Sequence, residues 1–289
     1  MATTSTPLRY PGGKSRLARF LSFLLRQNKI SDCTYIEPFA GGAGAGINLL
    51  RKEYVRVLYL NDIDPGVYAF WYSLLYHTDD LCRLVAEVPL TMEEWHRQKE
   101  ILSNPSASST IDLGFAVLFL NRTNRSGIIT GGVIGGQLQT GKWKIDARFN
   151  RLGLIEKIRR IAGYRHRIHL FCMDARYFLC NVVAACGERA FIYLDPPYYR
   201  NGKALYENHY VHDDHLSLAQ TLNALGEQPC VVSYNNVPQI REIYDGWPHL
   251  IYGINYSASE RYEGKEIMFF GPTITPPPFE NPLRVKCFA

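Results

Sequence analysis

The chain has 289 residues, 46% apolar and 20% charged, with a net charge of +5. Those proportions fit an ordinary globular protein of one large domain, or a core domain carrying an insertion, and the small basic excess does not by itself argue for nucleic acid. The longest apolar runs, such as FAVLFL at 115–120, are too short to cross a bilayer, and the N-terminus lacks an apolar signal region, so a cytoplasmic location without a membrane partner is expected.

In chain order, a glycine turn, YPGGK, precedes SRLARFLSFLLRQN, whose apolar residues at 17, 20, 21, 24 and 25 predict an amphipathic helix starting near Ser15. Runs rich in β-branched and aromatic residues then predict strands at 34–39, 55–60, 168–172, 191–194, 230–234, 250–254 and 266–270. Helix-like segments lie between most of them, at 43–53, 154–163, 175–185, 213–226 and 236–245. Alternation of this kind predicts an α/β fold, a doubly wound sheet with helices on both faces.

From about Pro65 to Gly163 the alternation stops, which marks an insertion carried on the sheet domain. Its helical pattern includes TMEEW, with Thr91 three residues before Glu94, and STID, both readable as capping boxes. Six glycines between 127 and 141 then predict a loop or hairpin. Residues 142–169 hold nine Lys and Arg against two acids, so this stretch is +7 and the rest of the chain −2; a solvated helix face and an anion-binding surface are both open for it. The seven cysteines are scattered, without zinc spacing, and reduced, mostly buried thiols and no metal site are expected.

Ligands of open α/β sheets bind beyond the carboxyl ends of the strands. Here Glu37, Asp62, Asp174 and Asp195 follow strand runs, a set suited to a ligand with hydroxyls and amino groups, although Asp174 before ARYFL also suits a plain helix cap. PFAGGAGAG lets a helix N-terminus approach a ligand but fails the dinucleotide-binding spacing, and YPGGKS fails that of a phosphate loop.

FIYLDPPYY ends a strand on an acid and two prolines. Proline lacks an N–H, so Asp195, Pro196 and Pro197 present a carboxylate and carbonyls with two donors removed. Such an acceptor-only site matches an exocyclic amine, and Tyr198 adds a flat face for an aromatic ring. Hydrogen bonds from both N–H groups, to Asp195 and the Pro196 carbonyl, would turn the amine lone pair toward an electrophile.

Taken in order, RYPGGKS, YIEPFAGGAGAG, LNDIDP, FLNRTNRSG, DARYF, YLDPPYY and VVSYNN resemble the Dam-like (D12 class, alpha group) N6-adenine DNA methyltransferases, from Leu8 to about Gly271. The resemblance implies a Rossmann-like methyltransferase sheet at 1–64 and 164–289. At 65–163 it implies an inserted, mainly helical target recognition domain with a β-hairpin or loop. It also implies S-adenosyl-L-methionine as cofactor and double-stranded DNA as partner, with a monomer expected. By position, Tyr10, Lys14, Glu37, Pro38, Phe39, Gly41, Gly42, Asp62, Ile63, Asp174 and Asp195 would line the cofactor site. Asp195, Pro196, Pro197 and Tyr198 would hold a flipped adenine, while Arg122, Asn124, Arg125, Lys142, Lys144 and Arg148 would contact DNA. The chemistry expected is direct in-line methyl transfer without a covalent intermediate or metal, with Tyr206 and Tyr210 as further stacking candidates.

After FLNRT this chain departs from the family with NRSGIITGGVIGG, so its recognition segment is expected to read a different sequence. An N4-cytosine methyltransferase would need the same amine geometry. A C5-cytosine enzyme would need a nucleophile such as Cys230 after Pro229, and a DNA-binding regulator without turnover would need neither. A nicotinamide oxidoreductase leaves the proline pair unexplained.

Overall fold

The computed structural model describes residues 5–9, 14–186, 189–199, 210–257, 261–278 and 281–284. Tyr10 and Tyr206 lie outside the described residues. Among the described residues seven strands form one sheet: β1 (Thr34–Glu37), β2 (Val57–Asn61), β3 (Ile168–Phe171), β4 (Ala190–Leu194), β5 (Cys230–Asn235), β6 (His249–Ser257) and β7 (Arg261–Phe270). Their order is β3-β2-β1-β4-β5-β7-β6, parallel except for β7, which runs antiparallel to both β5 and β6. All seven predicted strands are present.

The interior strands are apolar on both faces, as a sheet covered on both sides requires. Every residue of β4 is buried: Phe191 and Tyr193 pack into the core on one face, Ala190, Ile192 and Leu194 into the core on the other. The first core also takes in α1 (Ala18–Gln27) and α2 (Gly44–Arg51). The second takes in Phe178 of α8 (Ala175–Phe178), then α9 (His212–Ala224) and α10 (Pro238–Ile243). The helix expected at 175–185 is regular only in α8; Leu179–Val183 form a π turn that keeps both Leu179 and Val183 buried.

Residues 65–163 carry five α-helices among the described residues, α3 (Pro65–Tyr76), α4 (Thr78–Glu87), α5 (Met92–Ser103), α6 (Thr110–Thr123) and α7 (Arg151–Ala162). Local chemistry sets their starts: Asp64 accepts from the Gly66 and Val67 N–H groups with Pro65 at the first helical position, Thr91 accepts from Glu94 N, and Ser109 from Asp112 N. Glu94 turns its carboxylate to Gln98 instead of completing a capping box. Residues 113–123 of α6 are all buried, because the helix lies between neighbours rather than on the surface. The glycine-dense segment is a loop of turns pinned by one bridge, Asn124 to Val133, and its described residues form no strand ladder.

The six described cysteines are unpaired; Cys33, Cys82 and Cys230 are buried, while Cys172 and Cys180 are exposed, so burial holds for fewer of them than composition suggested. No helix among the described residues is long and apolar enough to cross a membrane.

Candidate active site

Strand order reverses between β1 and β4, so their carboxyl ends open the crevice where ligands of such sheets bind. Glu37 is the last residue of β1 and Asp195 the first beyond β4, and Ile36 pairs with Ile192 in register. Two residues chosen from strand-end positions 158 apart in number therefore face one space. Asp62 follows β2 on the adjoining side.

The loop from Pro38 to Ala43 turns sharply after β1. Ala43 N–H donates to Ala40 O, and both Gly41 and Ala43 are left-handed at φ +44°. The Gly41 N–H donates to Asp62 Oδ2 at 2.8 Å and the Gly46 N–H to Glu37 Oε1 at 2.9 Å, so both acids are clamped under the start of α2. Gly46 leaves little room for a side chain, since a Cβ there would stand 2.7 Å from Leu58 Cδ1 and 3.1 Å from Glu37 Oε1, so that both would have to shift. Asn61, buried at the end of β2, bonds the carbonyls of Pro38 and Met173 and accepts from Met173 N, tying three strand ends together. The carbonyl of Gly41 in turn accepts from Trp71 of α3 at 2.8 Å.

Burial pushes these carboxyls up. Glu37 rises to about 8, with the Gly46 N–H and Tyr35 opposing and Asp195 adding to the effect. Asp62 rises to about 7 through burial and then Asp64, against two backbone N–H bonds. Asp174 is different: it caps α8 through the Arg176 and Tyr177 N–H groups and pairs with Arg176 at 3.5 Å. Ile63 is exposed, and Phe39 meets the edge of Tyr210 with centroids 5.8 Å apart.

Asp195 sits against Lys14, whose Nζ lies 3.4 Å from Oδ1. That Oδ1 is enclosed and accepts no hydrogen bond among the described residues, although the side chain as a whole is 27% exposed. Its carboxyl is raised to about 6 by burial, with Lys14 pulling it down and Glu266 pushing it up. Lys14 donates to Tyr198 OH at 2.6 Å and to Glu266 Oε1 at 2.9 Å; burial lowers its ammonium, but Asp195 and Glu266 outweigh that and raise it. Tyr198 OH donates to the same Glu266 oxygen, and Tyr252 OH to Oε2 at 2.7 Å. Burial would raise Glu266, yet Lys14, Tyr198 and Tyr252 hold it below its ordinary range.

Pro196 is buried and Pro197 half-buried, and the Tyr199 N–H that follows is taken by Asn235 Oδ1 at 3.1 Å. The turn thus offers no N–H between Asp195 and Tyr198 except their own. Glu266, Tyr252, Asn61 and Asn235 were not among the predicted site residues. The acid opening the apolar run EIMFF was the visible signal for Glu266.

The expected DNA contacts divide. Arg122 and Asn124 are corrections, because both are buried and bonded inside the fold. Arg122 Nε donates to Pro7 O at 2.6 Å, next to Asn121, which bonds both the N–H and the carbonyl of Arg9. Asn124 takes the Trp95 N–H and donates to the carbonyls of Ile128 and Ile129. FLNRTN therefore anchors the segment leading to Lys14 and folds the glycine loop. Arg125, Lys142, Lys144 and Arg148 are exposed, as are Leu138 and Trp143 beside them. Arg151 and Arg167, from the same basic run, bond carbonyls at the end of α4 and at Val55 and Arg56. Arg9 was overlooked: it is lowered by burial and by Arg148, and its Nη1 is enclosed with no hydrogen-bond partner among the described residues.

Cys230 opens β5 inside the core, and burial pushes its thiol to about 12, which removes it as a nucleophile.

A model of the D12 class N6 adenine-specific DNA methyltransferase family matches residues 10–106 and 147–259. The unmatched stretch between them holds the glycine-dense loop. No curated protein matches the chain. Among solved structures, the rRNA methyltransferase AviRa from Streptomyces viridochromogenes aligns at 12% identity and a TM-score of 0.37, covering 87% of this chain and 83% of that one.

Proposed function

The chain belongs to the D12 class N6 adenine-specific DNA methyltransferase family, and on that footing we propose how its own residues carry out adenine methylation. The crevice beyond β1, β2 and β4 takes S-adenosyl-L-methionine. The donor set fits that molecule: Glu37, Asp62 and Asp195 are carboxyls raised by burial, Glu37 and Asp62 without a cationic partner among the described residues and Asp195 with only a share of Lys14, 3.4 Å from its enclosed Oδ1. A cation bearing hydroxyls and an amino group satisfies them. Bound there, it would supply an electrophilic methyl group on a sulfonium.

Lys14, Glu37, Asp62 and Asp195 hold it, with Pro38, Phe39, Gly41 and Gly42 forming the loop against it, Ile63 on its open side and Asp174 farther out as a helix cap. Tyr10, next to the described Lys14 segment, belongs to the same group by position.

The observation that carries the reading is the acceptor-only turn at Asp195. Its carboxylate and the Pro196 carbonyl receive the two N–H bonds of the adenine amine, turning the nitrogen lone pair outward and stabilising the positive charge that develops on it. The Tyr198 ring stacks on the base, and Pro197 fixes the backbone between them. The surplus proton leaves the amine toward Asp195, whose carboxyl near pH 6 is ionised at neutral pH and ready to accept the bond. Such access requires the adenine to rotate out of double-stranded DNA.

Residues 65–163 act as the recognition domain on the catalytic core of 1–64 and 164–289. Arg125, Lys142, Lys144 and Arg148 contact phosphates or bases, joined by Arg9. The protein works as a monomer.

Calorimetric titration with S-adenosyl-L-methionine, followed by base-resolved analysis of treated DNA, tests this reading. Binding and N6-methyladenine are expected; no binding, or N4-methylcytosine as product, contradicts it.

A further inference from the structure

Glu266 is completely buried at the head of an apolar run in β7. Placing a carboxylate there is costly unless it is paired and hydrogen-bonded, and the cation it meets among the described residues, Lys14, already has Asp195 at hand. The cation therefore stands between two carboxylates.

Strand register explains how Glu266 reaches the site. It pairs with Asn235 of β5 on one side and Tyr252 of β6 on the other. Asn235 takes the Tyr199 N–H, Glu266 takes the Tyr198 hydroxyl, and Tyr252 donates to Glu266. One row across three strands thus grips the turn after β4 at two successive residues.

We propose that Glu266 is a positioning residue for methyl transfer: it fixes the Tyr198 hydroxyl and shares Lys14 with Asp195, so that the Tyr198 ring and the Asp195 carboxylate are set together for the target amine. This rests on the reading that Asp195 to Tyr198 receive that amine. Without Glu266, Lys14 turns fully onto Asp195 and closes it into an ion pair, while the Tyr198 ring loses the acceptor that orients it.

The charged and titratable groups around Asp195 are Lys14, Glu266, Glu37, Tyr193, Tyr234 and Tyr252. Of these, Glu266 is the one whose negative charge works directly against ionisation of Asp195. Its replacement by an amide of the same size moves the titration of Asp195 downward.

The test compares the full-length wild type with Glu266→Gln, Tyr198→Phe, the double variant and Asp195→Ala. Unmethylated genomic DNA is the substrate under single-turnover conditions, and cofactor affinity is read separately by calorimetry. Glu266→Gln is expected to slow transfer about a hundredfold, the order set by misplacing a reacting group. DNA affinity should change little, the loss in transfer rate should persist at saturating cofactor, and the acid limb of the rate should move to lower pH. The double variant should be no slower than Glu266→Gln alone, because the two residues act as one unit.

A wild-type rate with an unmoved acid limb in Glu266→Gln overturns the proposal, as do additive losses in the double variant. If Glu266→Gln does not fold, Tyr198→Phe decides: a comparable loss supports the proposal and a wild-type rate overturns it. Asp195→Ala separates the two readings. Its retention of turnover sinks the amine seat and this proposal together, whereas an inactive Asp195→Ala beside an unaffected Glu266→Gln sinks the role of Glu266 alone.

Discussion

Lys14 Nζ stands 3.4 Å from Asp195 Oδ1, which brings the lysine after the N-terminal glycine pair onto the carboxylate just beyond β4. The contact depends on a close approach made possible elsewhere: Ser15 lies over Gly44, where a Cβ would come within 2.2 Å of its Oγ. The start of α2 and the Lys14 segment are thereby packed as one unit above the strand ends.

Lys14→Met removes a cation that Asp195 and Glu266 share. Two buried carboxylates are left without it, so the variant should lose about 3 kcal/mol of stability, the scale for breaking a buried ion pair. Urea unfolding measures the loss. The acid limb of any remaining activity should move to higher pH, opposite to Glu266→Gln.

Cofactor affinity should weaken as pH falls through about 7. Asp62 protonates there, and a neutral carboxyl is a poorer acceptor for hydroxyls than a carboxylate. Calorimetry at pH 6 and pH 8 checks this, and Asp62→Asn should flatten the difference.

Without cofactor, stability should fall between pH 6.5 and 8.5. Glu37 and Asp62 are raised in the folded state, so the fold holds protons that the unfolded chain has already released, and stability is lost as pH rises through the folded values. His215, lowered to about 4, acts in the opposite sense, but its window closes at its ordinary value of 6.5. Chemical denaturation at both pH values gives the slope, and Glu37→Gln should reduce it.

Arg148→Ala should weaken DNA binding across sequences and reduce the magnitude of its salt dependence by about one ion, as expected for loss of a phosphate contact. Arg122→Ala should leave that slope unchanged and lower thermal stability instead, since its guanidinium anchors Pro7 within the fold. Salt titration of binding separates the two.

That last contrast marks the limit of what could be read from the sequence. Strand runs, the acids at the ends of four of them, and the paired prolines are local features, and they located Glu37, Asp62 and Asp195 at one crevice. Arg122 and Asn124 are placed at the DNA surface only by the resemblance that FLNRTNRSG carries, since both lie well before the basic run of 142–169. Their burial follows from α6 lying between other helices, a non-local fact, although the unbroken apolar run before them was a hint. Glu266 shows in the sequence only as an acid opening the apolar run EIMFF, and its place in the site is hidden for a related reason. Only the antiparallel pairing of β7 with β5 and β6 brings it beneath Tyr198.

If Asp195 holds the target amine, single-turnover methylation of DNA by Asp195→Asn shows it without disturbing the size of the side chain. The amide fills the same space but places donors where the amine also donates, so the rate should fall by about a hundredfold to a thousandfold, the range for removing one transition-state hydrogen bond, while DNA binding persists. A rate equal to that of the wild type would contradict the account.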